Sequence, residues 1–305
     1  MKVSGFTIAR NAVKFGYPIR ESLRSLLPLV DELVIGVGDS EDDTWDVIQG
    51  IRDPKIKAFQ TVWDMTRREG GQLLSEQTNL ALSRCTGDWA IYLQSDEVLH
   101  EDDLGRIRTQ LGKHLHQPTE ALSFLYMHFY GSYETVQDNW CAWYRREVRA
   151  VKTGKGVVSV GDAAGFRLDD HGRHRRLIRA DSGARVYHYG WARPPAVMVT
   201  KQTHVVKLYD SEKSVAAIPE AARINPERPY DMLGHLRRFT GPHPAVMAEL
   251  VAGQDWSFDA GIDGQAPRWR RYLGMLLSCP RDSIRIFVSR LLLTWNTYIP
   301  VLKLR

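Results

Sequence analysis

The chain is expected to fold as an α/β protein, with a mostly parallel central sheet flanked by helices and a helical extension at its C-terminus. Three observations predict this. Apolar runs of strand length alternate with helical patterns over about the first hundred residues, as in βαβ units. One run, Trp89–Leu93, is apolar on both faces, as a strand covered by helices on either side must be. After Pro194-Pro195 the spacing becomes helical.

In chain order, Val3–Ala9 reads as the first strand, opening into a loop at Arg10-Asn11. Helical spacing of Ile19, Leu23, Leu26 and Leu27 follows, with Pro18 in the first turn and Pro28 closing the helix. Asp31–Val37 is a second strand running into the acidic turn 38–44, which feeds a helix over Trp45–Ile51. Ile56–Val62 is a third strand and Ser75–Ser83 a helix, before the Trp89 strand ends abruptly at Gln94-Ser95-Asp96-Glu97. A buried strand that delivers carboxylates at its C-terminal end builds a ligand site in open α/β sheets. The competing reading is that Asp96 and Glu97 start the next helix, since acids suit helix N-termini.

Further on, Leu104–Leu115 is helical and Ala121–Phe129 is a strand. The segment 130–144 reads as a Tyr- and Trp-rich loop followed by another strand. Residues 145–185 look basic, glycine-rich and irregular, with short strands near Val157–Val160 and Arg185–Tyr189. Helices are expected over Ala196–Tyr209, Pro244–Ala252 and Ser283–Ile299, the last with one apolar side.

The 305 residues are 43% hydrophobic and 25% charged, the composition of a globular protein, and the net charge of +5 is too mild for a nucleic-acid binder. From Ala266 to Arg305 eight Lys/Arg face one acid, Asp282, so the C-terminus is the basic end. Cys85, Cys141 and Cys279 have neither disulfide nor metal spacing, which fits a reducing compartment. The first twenty residues lack a signal-peptide core, and no apolar run spans a bilayer. These features point to the cytoplasm.

Four pieces in register carry a resemblance: Phe6–Asn11, the acidic turn Gly38–Thr44, the helix segment Ser75–Asn79, and Thr86-Gly87-Asp88 leading into Leu93–Glu97. Together they resemble a family 2-type glycosyltransferase with the GT-A nucleotide-diphospho-sugar fold. The resemblance implies a donor half over 1–103, an acceptor half over 104–193, and a helical extension over 194–305. It implies a base pocket lined by Thr7, Ala9, Arg10 and Asn11, with Asp39 on the base or ribose and Gln77 or Asn79 closing it. Asp96 would be the metal-binding member of an Asp-x-Asp signature, holding Mn²⁺ or Mg²⁺ on the diphosphate, with Gln94 and Ser95 beside it. His188, in Val186–Trp191, would be a further metal ligand or phosphate contact; read from its neighbours alone it is equally a packed core histidine. Two departures stand out: Gln94 replaces the first Asp of the signature, and Val37-Gly38 replaces the usual acid pair before Asp39.

Transfer from such a donor requires the leaving diphosphate to be neutralised and, in an inverting enzyme, a carboxylate to take the acceptor's proton. Glu134, Asp138, Asp162, Asp169 and Asp170 are candidates in the second half. Asp162 is favoured because Gly161 presents it after a short strand, with Glu97 and Asp138 as fallbacks; an ordinary turn acid is the plain alternative. The aromatics 130–144 are either core or a platform for acceptor sugars, and the run His171–Arg176 is either solvated surface or a contact for an anionic acceptor. The acceptor would be a saccharide or lipid-linked. The C-terminal helix would pack on the domain, mediate a homodimer, or rest on an anionic membrane surface at the inner face. Two other classes compete: a nucleotidyltransferase, disfavoured because Ala9–Ala12 lacks a glycine-rich phosphate loop, and a non-catalytic nucleotide- or glycan-binding protein.

Overall fold

The structure, a computed structural model, describes residues 1–67, 69–138, 143–209, 230, 235–259 and 261–262. Its N-terminal half is a parallel sheet. β1 (Val3–Ala9) pairs with β2 (Glu32–Gly38) and with β4 (Trp89–Tyr92), and β3 (Ile56–Thr61) pairs with β2, all in parallel. Alternation sends successive side chains to opposite faces. Trp89 and Ile91 join one core with Leu33, Ile35 and Val37, whereas Ala90 and Tyr92 join a second with Phe6, Ile8 and Val34. The first core is closed by α1 (Ile19–Leu26), α2 (Thr44–Gln49) and α4 (Glu101–His114), and the second by α3 (Gln72–Leu82). α1 stops short of Pro28, which has no N–H to continue the ladder. α1 lies so close to β1 that a Cβ at Gly5 would sit 2.8 Å from Leu26 Cδ2.

The helix-start reading of Asp96 and Glu97 does not hold. Glu97 opens a short strand, β5 (Glu97–Leu99), and α4 begins only at Glu101, where His100 Nδ1 accepts from the Asp102 N–H at 3.2 Å.

The second half extends the sheet. β6 (Ala121–Tyr130), β7 (Ser132–Gln137) and β8 (Arg146–Lys152) join it antiparallel, with β8 bridging β4 to β6. β9 (Val157–Val160), β10 (Gly165–Asp170) and β11 (Arg173–Arg175) form a separate three-stranded sheet. β12 (Arg179–Trp191) runs parallel to β6 and antiparallel to β5. Most paired residues of the main sheet lie in its parallel ladders. The expected irregularity of 145–185 is therefore a succession of strands. Two of its glycines, Gly161 and Gly172, at φ 62° and 85°, turn the chain between strands where a side chain would be strained.

α5 (Pro195–Tyr209), β13 (Leu236–Arg238) on the edge of β7, and α6 (Ala248–Ala252) complete the described fold. Tyr130 and Tyr133 are buried core residues, and the exposed β10–β11 tip carries the His171–Arg176 run, with Arg175 paired to Glu120. No helix among the described residues is long and apolar enough to cross a membrane. The expected helix Ser283–Ile299, with Trp140, Cys141 and Cys279, lies outside the described residues.

Candidate active site

The C-terminal ends of β1 and β4 open into a cavity of about 300 Å³. Of the residues the sequence nominates, Arg10, Gln94, Ser95, Asp96, Asp162 and His188 line it. Parallel strands end together on one side of the sheet, so residues from β1, the β4–β5 turn and the end of β12 converge there although they are far apart in sequence.

Asp96 and His188 form the inner edge. Asp96 is 6% exposed, and its backbone carbonyl accepts from the Tyr189 N–H at 2.8 Å, which pins the turn to β12. His188 Nε2 lies 3.7 Å from Asp96 Oδ2. The histidine's tautomer follows from its neighbours. His128 Nε2 faces the Tyr144 carbonyl at 2.7 Å and must donate to it, which leaves His128 Nδ1 as the acceptor of the 2.9 Å contact with His188 Nδ1. Burial, with His188 beside it, pushes His128 down to about 3, in keeping with this neutral acceptor. His188 Nδ1 then donates to His128, and its Nε2 faces Asp96. Burial alone would raise the Asp96 carboxyl, but His188, Lys201 and Arg193 outweigh it and hold the group ionised, far below the usual carboxylate range. Gly190 is required here: a Cβ would lie 2.6 Å from His188 Nε2 and 2.7 Å from Asp96 Oδ2.

A hard oxygen and an imidazole nitrogen facing each other at this spacing fit a shared divalent cation whose other positions stay open to ligand oxygens. No group of three or more His, Cys, Asp or Glu able to hold a metal occurs among the described residues, so the protein's share would be these two donors.

The outer edge is built by Arg10, Asp39 and Trp63. Asp39 Oδ1 accepts from Arg10 Nε at 3.0 Å and from the Trp63 N–H at 3.2 Å, and the Arg10 guanidinium lies 5.7 Å from the Trp63 ring centroid. Asp39 thus sets two cavity residues in place from behind. The Trp63 ring covers Gly38 so closely that no Cβ would fit, and its buried Nε1–H has no partner among the described residues. The unusual Gly38 before Asp39 is the space this indole fills.

Several nominated residues serve the scaffold instead. Asn11, at φ 53°, accepts from the Glu41 N–H at 2.7 Å and clasps the acidic turn, and Thr44 Oγ1 accepts from the Ala12 N–H at 2.7 Å. Thr7 is buried with its hydroxyl on the Ile8 carbonyl, and Ala9 joins the core. Gln77 reaches back to the Val62 carbonyl at 3.5 Å. Asn79 lies off the cavity wall: its amide pairs with both backbone groups of Ser159, at 3.0 and 2.7 Å, and docks α3 on β9. Glu97 also lies off the cavity wall. It is fully buried and receives two 2.8 Å bonds from Arg149 and one at 2.7 Å from the Tyr126 hydroxyl, while its other contact, with the Gln94 N–H at 3.1 Å, holds the turn that presents Asp96. Glu134 and Asp138 lie by β7, and Asp169 and Asp170 at the exposed end of β10.

Asp162 is on the wall, contributed by the second half. Its Oδ1 accepts from the Ala164 N–H at 3.2 Å, and its backbone packs on Gly71, where a Cβ would come within 2.8 Å. Residues that sequence reasoning missed also line the cavity: Trp63, Phe15, Tyr17, Trp191, Lys201 and His204. The only local signal for the last two was their position shortly after the Val186–Trp191 stretch.

A parallel α/β sheet that turns antiparallel after β4 and presents an acid–imidazole edge over a cleft defines a GT-A-type fold. The chain belongs to glycosyl transferase family 2, whose model matches residues 7–174. Among solved structures, S. aureus TarS is 15% identical, with 70% of this chain and 41% of that one covered and a TM-score of 0.36. A shorter TarS fragment in complex with UDP-GlcNAc is 16% identical (70% and 69% covered, TM-score 0.34). Glucosyl-3-phosphoglycerate synthase from Mycobacterium tuberculosis, in complex with Mn²⁺, UDP-glucose and phosphoglyceric acid, is 19% identical (42% and 44% covered, TM-score 0.28). The chain thus spans less than half of the longer TarS chain and of the synthase. No curated protein matches the sequence.

Proposed function

We propose that the chain transfers a sugar from a nucleotide-diphosphate donor to a hydroxyl of a saccharide or lipid-linked acceptor, with inversion at the anomeric carbon. The observation that carries this reading is the single cavity on which Asp96 and His188 converge at 3.7 Å while Asp162 faces the same space. Arg10 and Trp63 take the nucleoside end, and the indole N–H, buried without a partner among the described residues, is the donor for a base or ribose oxygen. Gln94 stands beside the ribose and diphosphate. Mn²⁺ or Mg²⁺ would be held by Asp96 Oδ2 and His188 Nε2, and when bound neutralises the diphosphate as a Lewis acid.

The chain's own residues do the rest. Asp162 takes the acceptor proton as the acceptor oxygen forms its bond to the anomeric carbon. The bond from that carbon to the β-phosphate oxygen breaks, and its electron pair leaves with the nucleoside diphosphate. Glu97 and Arg149 keep the Asp96 turn in place beneath.

A thermal-shift panel of UDP, GDP, CDP and TDP, each with Mn²⁺, Mg²⁺ or EDTA, tests the site on wild type and Asp96→Ala. A ligand at a hundredfold excess over its Kd stabilises by roughly 2.7 kcal/mol. One nucleotide should give a metal-dependent shift that Asp96→Ala loses. No response to any nucleotide would remove the donor-site reading.

A further inference from the structure

Lys201, on α5, is a cation placed where it loses most of its hydration. Only 11% of its side chain is exposed, yet it forms part of the cavity wall. Its Nζ donates to the Gly190 carbonyl at 2.6 Å, lies 3.6 Å from Asp96 Oδ2, and sits 5.0 and 5.8 Å from the ring centroids of Tyr17 and Trp191. Burying an ammonium is costly unless an opposite charge and hydrogen bonds compensate it. Burial and the neighbouring Arg193 pull Lys201 down to about 7 while Asp96 pulls it back, and because the buried Arg193 also acts on Asp96, one carboxylate compensates two basic groups. Arg193 is itself tied to the Phe15 and Tyr189 carbonyls, behind the cavity. The inner edge therefore carries surplus positive charge, and Lys201 is the cation that opens onto the cavity.

We propose that Lys201 is a second cation for the donor's diphosphate, acting beside the Asp96–His188 edge. In the free protein its ammonium rests on Asp96 and Gly190. With the donor bound it turns to the phosphate oxygens, which offer more negative charge than one shared carboxylate. Its four-carbon stem gives it that reach, and a compact point charge suits oxygens that grow more negative as the sugar leaves. This rests on the donor-site reading of the cavity. It adds a residue that lies beyond the region matched by the family, on the helix that follows β12.

The test is calorimetric titration of the full chain as wild type, Lys201→Gln and Lys201→Arg. The probes are the nucleoside diphosphate selected by the panel and the matching uncharged nucleoside, each with Mn²⁺ and with EDTA. Lys201→Gln should weaken the diphosphate by roughly 10- to 100-fold in both conditions, the size of a lost charge-assisted contact, and leave the nucleoside unchanged. Lys201→Arg should recover much of the loss. Equal diphosphate affinity in wild type and Lys201→Gln would overturn the inference and leave the donor site standing. Equal losses for diphosphate and nucleoside, without recovery in Lys201→Arg, would make Lys201 a packing residue and overturn it too. A wild type that binds no diphosphate would instead overturn the donor-site reading beneath it.

Discussion

At the scale of single residues, the site divides into groups that face the cavity and groups that hold those in place. Asp162 belongs to the first. Gly161 at φ 62° and Ala163 at φ 60° bend the chain on either side of it, and the Ala164 N–H fixes one of its oxygens. If it is the base, Asp162→Asn keeps the shape and loses the proton acceptor. Turnover should then fall by roughly 10²–10⁴-fold while nucleotide-induced stabilisation persists, read by a transfer assay beside the thermal shift. A variant with wild-type turnover would return Asp162 to the status of a turn acid. The place of Asp162 on the cavity wall was legible because glycine and a short strand precede it, which are local signs. Glu97 was not, since its meaning lies in Arg149 and Tyr126, fifty-two and twenty-nine positions away. The docking of Asn79 on β9 was hidden for the same reason: an amide on a helix says nothing of which strand it will meet. Lys201 left no local sign beyond its position after the Val186–Trp191 stretch, because its partners Asp96, Gly190 and Tyr17 come from separate parts of the chain.

At the scale of elements, the parallel strands were legible nearly to the residue, because burial on both faces writes a continuous apolar run into the sequence. The second half was harder. Its strands are short and joined by glycine turns, so composition suggested irregular chain where the hydrogen-bond ladders form hairpins. The parallel half is also held at the end remote from the cavity, by a carboxylate that hydrophobic patterning does not single out. Glu32, at the start of β2, accepts from Ser4 Oγ of β1 at 2.6 Å and from the Thr86 N–H and hydroxyl at 2.7 Å each, and pairs with Lys57 of β3. Burial alone would raise its carboxyl, but Lys57, Ser4 and Thr86 together hold it at about 2 against an ordinary 4.5. A depressed carboxyl contributes stability that is present above the unfolded value and lost as pH falls through the folded one. The contribution is at most about 3 kcal/mol, and less because Lys57 is largely solvated. Urea melts of wild type and Glu32→Gln should therefore differ most above pH 5 and converge toward pH 2. A difference that does not change with pH would assign Glu32 a packing role only.

At the scale of the whole molecule, the cavity lies where the two halves of the chain meet, lined by residues of both. The family match ends within β11, ahead of β12 and α5, yet the cavity is finished by those later elements. A division after residue 193, which the change to helical spacing suggests, separates Met198, Lys201 and His204 from the wall they complete. It also strips the second half of its cover. Met247 packs with Phe129, Tyr133 and Tyr189, and Leu236 and Met198 with Tyr130, each of these three later side chains being fully buried. β13 adds backbone pairing to the edge of β7. Losing several such residues removes roughly 2–5 kcal/mol each, and a domain of this size loses about 2–4 °C per kcal/mol. A chain ending at Arg193 should therefore melt on the order of 10 °C or more below the full chain, bind a hydrophobic dye through the uncovered face, and show no nucleotide-induced shift. Wild-type melting with an intact nucleotide response would establish residues 1–193 as a self-sufficient domain and make α5 an appendage. Loss of both would show that the boundary drawn by helical spacing crosses one cooperative unit, because periodicity reports the element and not the partner it packs against.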